Sequence, residues 1–508
     1  MSFRLFLYLG ICIGAVFAKP SMGLAEETQQ TFWNSDILVG PIIAKLGGEV
    51  HFVQRETSLP EGARFEVEIL DSAGRKILKQ SVTGADSEKK PLLSWQPTGQ
   101  GFYTVRVSKT TDDGATAICE REVAVISPER PVYLAWYGFD PVIEWANVIT
   151  TVTPEVAELL EKSGVKGLQW QVGGMNYNFN GADEMDDETF STAVEKGLLT
   201  AYTAESAHAG MGLDEFGGYP GSRQELGSIA GGRALDRARE THPERFFAVW
   251  HGGGIREPIL ASYRRSVDLL LLQSYVFRAM PEHLGTENIY QTIDSRLLPL
   301  LRASDMLLPA YGNRLHTLVA IDTSERPDLI ELGEMENAVR HIRRQYPEIR
   351  GMAWYNGGFS ENSPWGLKTI DEVMHKKHDD VIAKANSLNK SYFLSPCVTL
   401  QNQAIWFDSL TNEIVVAVSN IGSMDAGEVE ITLTLNDKKL GAVTKAAIPA
   451  GASRNSNRAF FRFPLQGDHP RHGTAKATIS KAEGATLLDQ SQTSELNLTS
   501  KNLKTESR

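Results

Sequence analysis

The 508-residue chain contains very little cysteine. Of its three cysteines, Cys12 lies in an apolar N-terminal run, which leaves Cys119 and Cys397 far apart in the sequence. So few thiols exclude a disulfide framework, and they exclude the paired cysteines of a structural zinc site. A bridge between Cys119 and Cys397 has no support in their spacing, and we expect two buried free thiols.

The chain also lacks an excess of positive charge. It carries 51 Lys and Arg residues against 63 Asp and Glu residues, a formal net charge of −12. Binding to nucleic acid depends on cationic side chains that displace phosphate counterions, and anionic lipid attracts the same side chains. The composition therefore predicts no nucleic-acid partner and no attachment to acidic membranes.

Apolar runs long enough to span a bilayer are missing as well. The run from Leu5 to Ala18 follows Arg4 and ends among small residues, which is typical of a secretory signal peptide and too short for a membrane anchor. Cleavage is expected after Ala18 or Ala25. We therefore predict a signal peptide over 1–25, a secreted or periplasmic protein, and no membrane insertion after signal removal.

Several motifs of known enzyme classes do not occur. The chain has no Gly-x-Ser-x-Gly nucleophile elbow, no His-Glu-x-x-His zinc motif and no phosphate-binding P-loop. The glycines after His251 lack the lysine and the spacing of a phosphate-binding loop. Nucleophilic serine chemistry and nucleotide hydrolysis are therefore disfavoured, and no cofactor is predicted.

Both ends of the chain have the pattern of β-structure. Short alternating apolar runs, separated by turn residues, extend from Trp33 to Val125 and return after Leu388. The piece WQPTGQGFYTVRV resembles the last hairpin of immunoglobulin-like modules of bacterial secreted proteins. The piece VVAVSNIGSMDAGEVEITLTLND resembles adhesion-type modules that follow catalytic domains. These resemblances imply an immunoglobulin-like β-sandwich over 31–129 and a C-terminal β-sandwich over 390–500. The polar composition of the last residues predicts a disordered tail over 501–508.

The central part alternates short apolar strands with amphipathic helices, which is the pattern of parallel βα units. Helices are predicted to open at Thr153 or Pro154 and at Ser222, and to run over 325–346 and 368–388. The eight strand candidates begin at Val132, Gly167, Leu198, Gly210, Arg245, Asp268, Met306 and Ile349.

Eight such units over about 250 residues fit one closed barrel. The predicted fold is a multidomain chain with a central (β/α)8 TIM barrel over 130–389, flanked by two all-β sandwich domains. No helix fits between Glu205 and Gly210, so either that helix is lost or one strand is misassigned.

Asp214 and Glu215, at the end of the predicted fourth strand, are the candidate catalytic pair. Active sites of such barrels lie at the carboxyl ends of the strands. Two carboxylates can supply a protonated acid and an ionised partner, as glycoside cleavage requires. Because strand residues alternate faces, one member of the pair transfers the proton, and we assign that role to Glu215. Glu205 is the first candidate for the second carboxylate, before Asp140 and Glu361.

Aromatic and polar side chains are expected around this pair. Sugars have apolar ring faces and many hydroxyls, so a sugar site combines flat aromatic rings with amides and carboxylates. Each aromatic alone is as compatible with barrel packing, but the set favours a carbohydrate substrate. The predicted substrate-binding residues are Asp140, Trp170, Gln171, His251, Gln273, Tyr275, Tyr311, Asn313, Arg314, Trp354 and Tyr355.

This arrangement resembles the (β/α)8-barrel glycoside hydrolases, in which an acidic residue at the end of strand four donates the proton. It resembles the family 18 chitinases in part, with Glu215 on strand four, Gln-Ser-Tyr from Gln273 on strand six and Trp354 on strand eight. The chitinase run of aspartates before the acid is missing, and Asp214-Glu215 stands where the large retaining clan has Asn-Glu. The resemblance implies this superfamily and no particular family.

The function predicted from the sequence is a secreted glycoside hydrolase that cleaves a poly- or oligosaccharide by carboxylate acid/base catalysis. Two other functions stay open. One is a non-catalytic carbohydrate-binding protein on a barrel scaffold. The other is a metal-dependent hydrolase that uses His208 and His251 with Glu205 and Glu215, although no metal is the working prediction.

Overall fold

The computed structural model describes residues 37–499, apart from 55–63, 84–90, 111–115, 139–143, 151, 176, 178–180, 253–256, 275, 277–285, 300, 302–315, 323–329, 357–371, 402, 452–455 and 467–469. The predicted signal peptide and C-terminal tail lie outside the described residues. Within those ranges, no helix is both long and apolar enough to cross a membrane.

The N-terminal part is built from β-sheets. Its strands are β1 (Ile37–Gly40), β2 (Ile43–Lys45), β3 (Val50–Gln54), β4 (Arg64–Asp71), β5 (Lys76–Thr83), β6 (Leu93–Trp95), β7 (Gly101–Thr110) and β8 (Thr116–Ile126). One sheet has the order β1-β3-β6 and the other β2-β8-β7-β4-β5. Alternate residues of β4, such as Val67, are buried and join Phe52 and Trp95 of the other sheet in one apolar core. The β-structure predicted before the barrel is confirmed.

The central part is a closed barrel of parallel strands. These are β9 (Tyr133–Gly138), β10 (Val148–Thr150), β11 (Lys166–Val172), β12 (Gly210–Phe216), β13 (Phe246–His251), β14 (Leu269–Ser274), β15 (His316–Asp322) and β16 (Gly351–Asn356). Each strand pairs in parallel with the next, and β16 pairs with β9 to close the ring. The predicted parallel barrel is therefore confirmed.

Helices follow the strands from β10 onward. They are α1 (Pro154–Lys162), α2 (Asp187–Thr203), α3 (Arg223–Thr241), α4 (Glu257–Tyr263), α5 (Thr286–Thr292), α6 (Leu332–Gln345) and α7 (Glu372–Asn389), with short helical turns at Ala182–Glu184, Ile293–Leu297 and Lys390–Leu394. Side-chain oxygens of Thr153 and Ser222 cap α1 and α3, which confirms both predicted helix starts. Of the residues between β9 and β10, the described ones form no helix.

The predicted third strand is wrong. The run from Leu198 belongs to α2, whose buried residues Phe190, Val194, Leu198 and Tyr202 recur every four positions along one helix face. The strand predicted at Gly167 is therefore the third strand of the barrel. The second strand is β10, which was not predicted from the sequence. The candidate strand at Met306 lies outside the described residues; the seventh strand of the barrel is β15.

Two separate cores give each barrel strand an inner and an outer face. On β13, Ala248 and Trp250 belong to the cluster inside the barrel, whereas Phe247 and Val249 pack toward the helices. Because side chains alternate along a strand, His251 continues the outer row. This alternation between inner and outer faces decides which residues at the strand ends reach the barrel mouth.

The C-terminal part is again β-structure. Its strands are β17 (Cys397–Thr399), β18 (Ile405–Asp408), β19 (Glu413–Asn420), β20 (Val429–Leu435), β21 (Lys438–Lys445), β22 (Arg458–Pro464), β23 (His472–Ala482), β24 (Thr486–Asp489) and β25 (Ser491–Asn497). One sheet has the order β18-β19-β17-β24, with β22 also on β19, and the other has the order β21-β20-β23-β25. Their buried residues form one cluster, so a β-domain follows the barrel as predicted.

Arginines of α6 bind the C-terminal β-domain. Arg343 is fully buried and donates hydrogen bonds to the carbonyl oxygen of Ile421, in the C-terminal domain, and to that of Ile349, in the barrel. Burial lowers the pKa of the Arg343 guanidinium to about 10. Arg344 forms an ion pair of 2.7 Å with Asp489, at the end of β24. These contacts attach the C-terminal domain to the barrel.

Candidate functional site

The carboxylate of Asp214 lies at the centre of the polar contacts inside the barrel mouth. Asp214 stands near the carboxyl end of β12 and is 9% exposed. Its Oδ2 accepts hydrogen bonds from the Tyr137 hydroxyl at 3.2 Å and from Trp170 Nε1 at 3.4 Å. Its Oδ1 accepts one from Gln273 Nε2 at 2.9 Å. Groups on β9, β11 and β14 thus converge on one carboxylate.

Aromatic rings line the interior beside this carboxylate. The Tyr137 ring lies 5.1 Å from the Trp250 ring in an edge-on arrangement and 4.8 Å from the Tyr355 ring. Trp250 Nε1 donates to Thr150 Oγ1 at 3.3 Å. A β-carbon at Gly212 would collide with the Thr150 side chain, so only glycine permits this close approach. The packing fixes the position of Tyr137, which holds Asp214.

Two exposed aromatic side chains lie at the rim. Trp170 is 40% exposed although its indole N–H is bonded to Asp214, and Tyr219, in the loop after β12, is 77% exposed. The Trp170 ring therefore offers a flat apolar face to a ligand beside the carboxylate. Tyr219 is not among the predicted site residues, although its place four residues after Glu215, in the loop that follows β12, is a usable signal.

The backbone is irregular at the Asp214-Glu215 pair. Leu213 pairs with Val249 and Phe216 with His251, so the register shifts by one residue between them. Leu213 and Phe216 both belong to the helix-side core, and both members of the acidic pair lie between them. The strict alternation assumed from the sequence therefore fails here, and such bulges concentrate near active sites. The side chain of Glu215 lies outside the part that the structure describes.

Glu205 is not brought to the mouth. It follows α2 in an exposed loop and stands five residues before the first residue of β12, whereas Asp214 is near the strand's far end. The prediction that Glu205 ends a barrel strand is wrong because its preceding segment is helical. Because a strand rises about 3.3 Å per residue, the start of β12, which Glu205 precedes, lies more than about 10 Å from Asp214.

Three predicted binding residues stand on the outer face of the barrel strands. His251 is buried, and its Nδ1 lies 3.0 Å from the Tyr263 hydroxyl on α4. Trp354 is buried and donates from Nε1 to Asn389 Oδ1 at 2.9 Å, at the end of α7. Gln171 follows the inward-facing Trp170, so alternation turns it outward. These placements correct the expectation that all three would surround the acidic pair.

Not all predicted site residues fall within the part of the chain that the structure describes. Five substrate-binding candidates lie outside the described residues, as does the alternative carboxylate Glu361. The five are Asp140, Tyr275, Tyr311, Asn313 and Arg314. Of the remaining candidates, Asp214, Trp170, Gln273 and Tyr355 are brought together at the mouth.

The ligand set considered for a metal is not assembled. His208 is bonded to Ser206 Oγ at 2.6 Å and to the Val152 carbonyl oxygen at 2.8 Å, while His251 faces Tyr263. Among the described side chains, no group of three or more His, Cys, Asp or Glu residues has the geometry to hold a metal ion. The geometry of these residues therefore lends no support to the metal-dependent alternative.

Comparison with known proteins gives matches to solved structures only. No protein-family profile matches the chain, and no curated protein sequence does. A family 39 glycoside hydrolase from the gut symbiont Bacteroides cellulosilyticus WH2 is 12% identical, with 84% of this chain and 100% of that chain covered and a TM-score of 0.32.

Two further matches have similar values. The β-D-glucuronidase of Dictyoglomus thermophilum is 12% identical, with 68% of each chain covered and a TM-score of 0.32. A putative β-galactosidase of Bacteroides fragilis is 12% identical, with 91% of this chain and 72% of that chain covered and a TM-score of 0.31. At such low similarity, a function for this chain has to be argued from its own side chains.

Proposed function

We propose that the barrel is a glycoside hydrolase whose active site is centred on Asp214. The observation that supports this most is the carboxylate itself, which is held by Tyr137, Trp170 and Gln273 beside the Tyr355 ring. A sugar ring can stack on the accessible Trp170 indole while its hydroxyls reach the same amide and carboxylate groups. Aromatic rings and a fixed carboxylate together suit a substrate with apolar faces and an oxocarbenium-like transition state.

The two acidic residues of the pair are assigned different roles. N–H and O–H donors directed at Asp214 favour its charged form, which can stabilise or attack a developing positive centre. Glu215 is the proposed proton donor to the leaving oxygen. The register shift at this point supports the assignment, because it removes the geometric reason for excluding one of the two residues from the mouth.

A further carboxylate is available in place of Glu205. Asp322, the last residue of β15, is in register with Tyr355, which is itself in register with Tyr137. Residues in register on parallel strands share a face of the sheet; Tyr137 belongs to the interior cluster, and Tyr355 packs against that cluster. We therefore assign position 322 to the inner face of the mouth and propose Asp322 as the partner carboxylate; its side chain lies outside the described residues.

The proposal is tested by a panel of aryl glycosides and oligosaccharides. Wild type is compared with Asp214→Asn, Glu215→Gln and Asp322→Asn, with Gln169→Ala, an exposed change on β11, as control. On a glycan that the wild type cleaves, each acidic variant should lose about 10²- to 10⁴-fold in kcat, and the control nothing. NMR of the first-formed anomer then distinguishes retaining from inverting chemistry.

Three outcomes would contradict parts of the proposal. Full activity of Asp214→Asn and Glu215→Gln would remove the site assignment. Full activity of Asp322→Asn alone would remove only the partner carboxylate. Glycan binding without turnover by the wild type would favour the carbohydrate-binding alternative over an enzyme.

The wider proposal is a secreted multidomain enzyme, with a (β/α)8 barrel between two β-sandwiches and a carbohydrate as its substrate. The sequence from Arg4 to Ala25 supports secretion. Expression in a bacterium, followed by N-terminal sequencing of the exported protein, checks it. The expected mature chain begins after Ala18 or Ala25, and an unprocessed chain in the cytoplasm would contradict secretion.

A further inference from the structure

The C-terminal β-domain presents an exposed pair of aromatic rings on one sheet. Trp406 on β18 is 38% exposed and Phe460 on β22 is 45% exposed, and these strands flank β19 on its two sides. Their ring centroids are 5.9 Å apart, with an angle of 79° between the planes. Phe461 belongs to the core of this domain, so Phe460 lies on the opposite, outer face.

Polar side chains flank the aromatic pair along the same face. Arg458 and Arg462 stand two residues before and after Phe460 on β22, and therefore share its face. Arg462 binds Glu413 at 2.8 Å and Asp408 at 3.4 Å. The two arginines and the two carboxylates cancel in formal charge, which leaves a polar face without net charge.

The other arginine connects this face to a cavity. Arg458 donates to Ser419 Oγ at 3.1 Å and to Gln401 Oε1 at 3.0 Å. Gln401 also lines a cavity of about 210 Å³ between α6 and the C-terminal domain. Two of the residues that line this cavity carry a buried polar atom with no hydrogen-bond partner among the described residues. These atoms are Arg343 Nε and Gln492 Oε1. An unsatisfied donor and an unsatisfied acceptor are both groups to which sugar hydroxyls can form hydrogen bonds.

We propose that this face, from Trp406 and Phe460 across Arg458 to Gln401, is a second carbohydrate-binding site that takes a chain of uncharged sugars. We call it the outer-sheet site. Sugar rings stack on aromatic side chains while their hydroxyls bond to guanidinium, amide and carboxylate groups. Because the charges of Arg458, Arg462, Asp408 and Glu413 balance, this face has no net charge to attract an ionic polymer.

The area of the patch argues against a protein partner. Aromatic side chains have about 150–250 Å² of surface each, so the two partly exposed rings present no more than about 200 Å². A stable protein–protein interface needs about 800 Å² from each partner. A glycan chain, which needs only one or two stacking rings, fits the patch better than a second copy of this chain.

Binding is measured on the full chain, so the test does not depend on turnover in the barrel. Affinity electrophoresis in gels that contain xylan, mannan or polygalacturonate, and pull-down on insoluble cellulose, compare wild type with Trp406→Ala and Phe460→Ala. One of the neutral glycans should retard the wild type. Each single variant should bind that glycan about tenfold more weakly, and the double variant should not be retarded by it. Activity on a short aryl glycoside, if the barrel is an enzyme, should stay unchanged.

Leu440→Ala is the matched control. Leu440 is 39% exposed on β21, in the other sheet of the same domain, so its loss removes exposed apolar surface without touching the outer-sheet site. Thermal unfolding should be the same in all variants because the altered side chains are on the surface.

The proposal is overturned if the wild type is retained by none of the neutral glycans, or only by polygalacturonate. It is also overturned if Trp406→Ala and Phe460→Ala bind as tightly as Leu440→Ala. A wild-type dimer in sedimentation that Trp406→Ala dissociates would assign the patch to self-association instead. None of these results bears on Asp214, so failure here is distinguishable from failure of the proposed hydrolase.

Discussion

Gln273 and Trp170 hold opposite oxygens of the same carboxylate. The Gln273 amide donates to Asp214 Oδ1 from β14, two strands along the barrel, and the Trp170 indole donates to Oδ2 from the neighbouring β11. The carboxylate is thus fixed from two sides by an amide and an indole, in addition to the Tyr137 hydroxyl. Each of the two donors can be removed separately.

Replacing Gln273 should weaken the proposed chemistry while the fold is retained. A hydrogen bond to a charged group contributes about 1.5–3 kcal/mol, so Gln273→Ala is expected to lower kcat about tenfold to a hundredfold, with KM nearly constant. Steady-state kinetics check that kcat falls while KM stays nearly constant, and thermal unfolding checks that the fold is retained; Gln169→Ala is the control. A Gln273→Ala variant with wild-type kcat would mean that the hydrogen bond does not position Asp214.

Two substitutions of Trp170 should separate its two contacts. Trp170→Phe keeps a flat ring but removes the N–H that Asp214 accepts, so kcat should fall about tenfold with little change in KM. Trp170→Ala also removes the stacking surface, so KM should rise by about a further threefold to tenfold. Kinetics on one aryl glycoside measure both. Equal KM values in the two variants would contradict a stacking role for the indole.

The sequence predicted elements whose signals are local. Helices α1 and α3 begin at cap residues with apolar residues at helical spacing behind them, and their starts were found. Strand β10 has only three residues, too few for a pattern. The apolar run at Leu198 could be placed in a strand or a helix, and only its spacing to Phe190 and Val194 indicates the helix.

The same limit applied to the site. Asp214, Trp170, Gln273 and Tyr355 were identified because the carboxyl ends of barrel strands carry function. His251 and Trp354 were misplaced because strands buried on both faces carry apolar residues at every position, so composition does not reveal which parity faces inward. The register shift at Asp214 depends on the pairing of β12 with β13, which no local pattern encodes.

Trp354 should matter for stability and not for turnover. Its buried indole donates to Asn389, which is also fully buried and bonds the Trp145 carbonyl oxygen. Trp354→Phe leaves an unpaired Asn389 oxygen and a small cavity, so the free energy of unfolding should fall by about 2–4 kcal/mol. Urea unfolding measures the loss, and kcat/KM should match the wild type below the transition. A large kinetic effect with unchanged stability would return Trp354 to the substrate site.

Cys397 should make stability depend on alkaline pH. Neither of the two described cysteines forms a disulfide; Cys397 is buried and Cys119 half-buried. Burial raises the pKa of the Cys397 thiol from 9.0 to about 11, against the opposing effect of Arg343 and other nearby arginines. Well below pH 9 the thiol is protonated in both the folded and the unfolded chain, so it adds no pH dependence there.

Between pH 9 and about 11, the unfolded chain loses this proton while the folded chain keeps it, so unfolding is favoured as pH rises. The wild type should therefore lose about 2–3 kcal/mol more than Cys397→Ala across this window, at one pKa unit per about 1.4 kcal/mol. The urea midpoints of both proteins are measured at pH 8, 9, 10 and 11. Because lysines and tyrosines titrate in both proteins, their effect cancels when the stability of Cys397→Ala is subtracted from that of the wild type. Cys119→Ala, which alters the half-buried thiol, is the control and should follow the wild type. Parallel curves for wild type and Cys397→Ala would show that the thiol titrates alike in both states, and would contradict its burial in the core that includes the barrel helices.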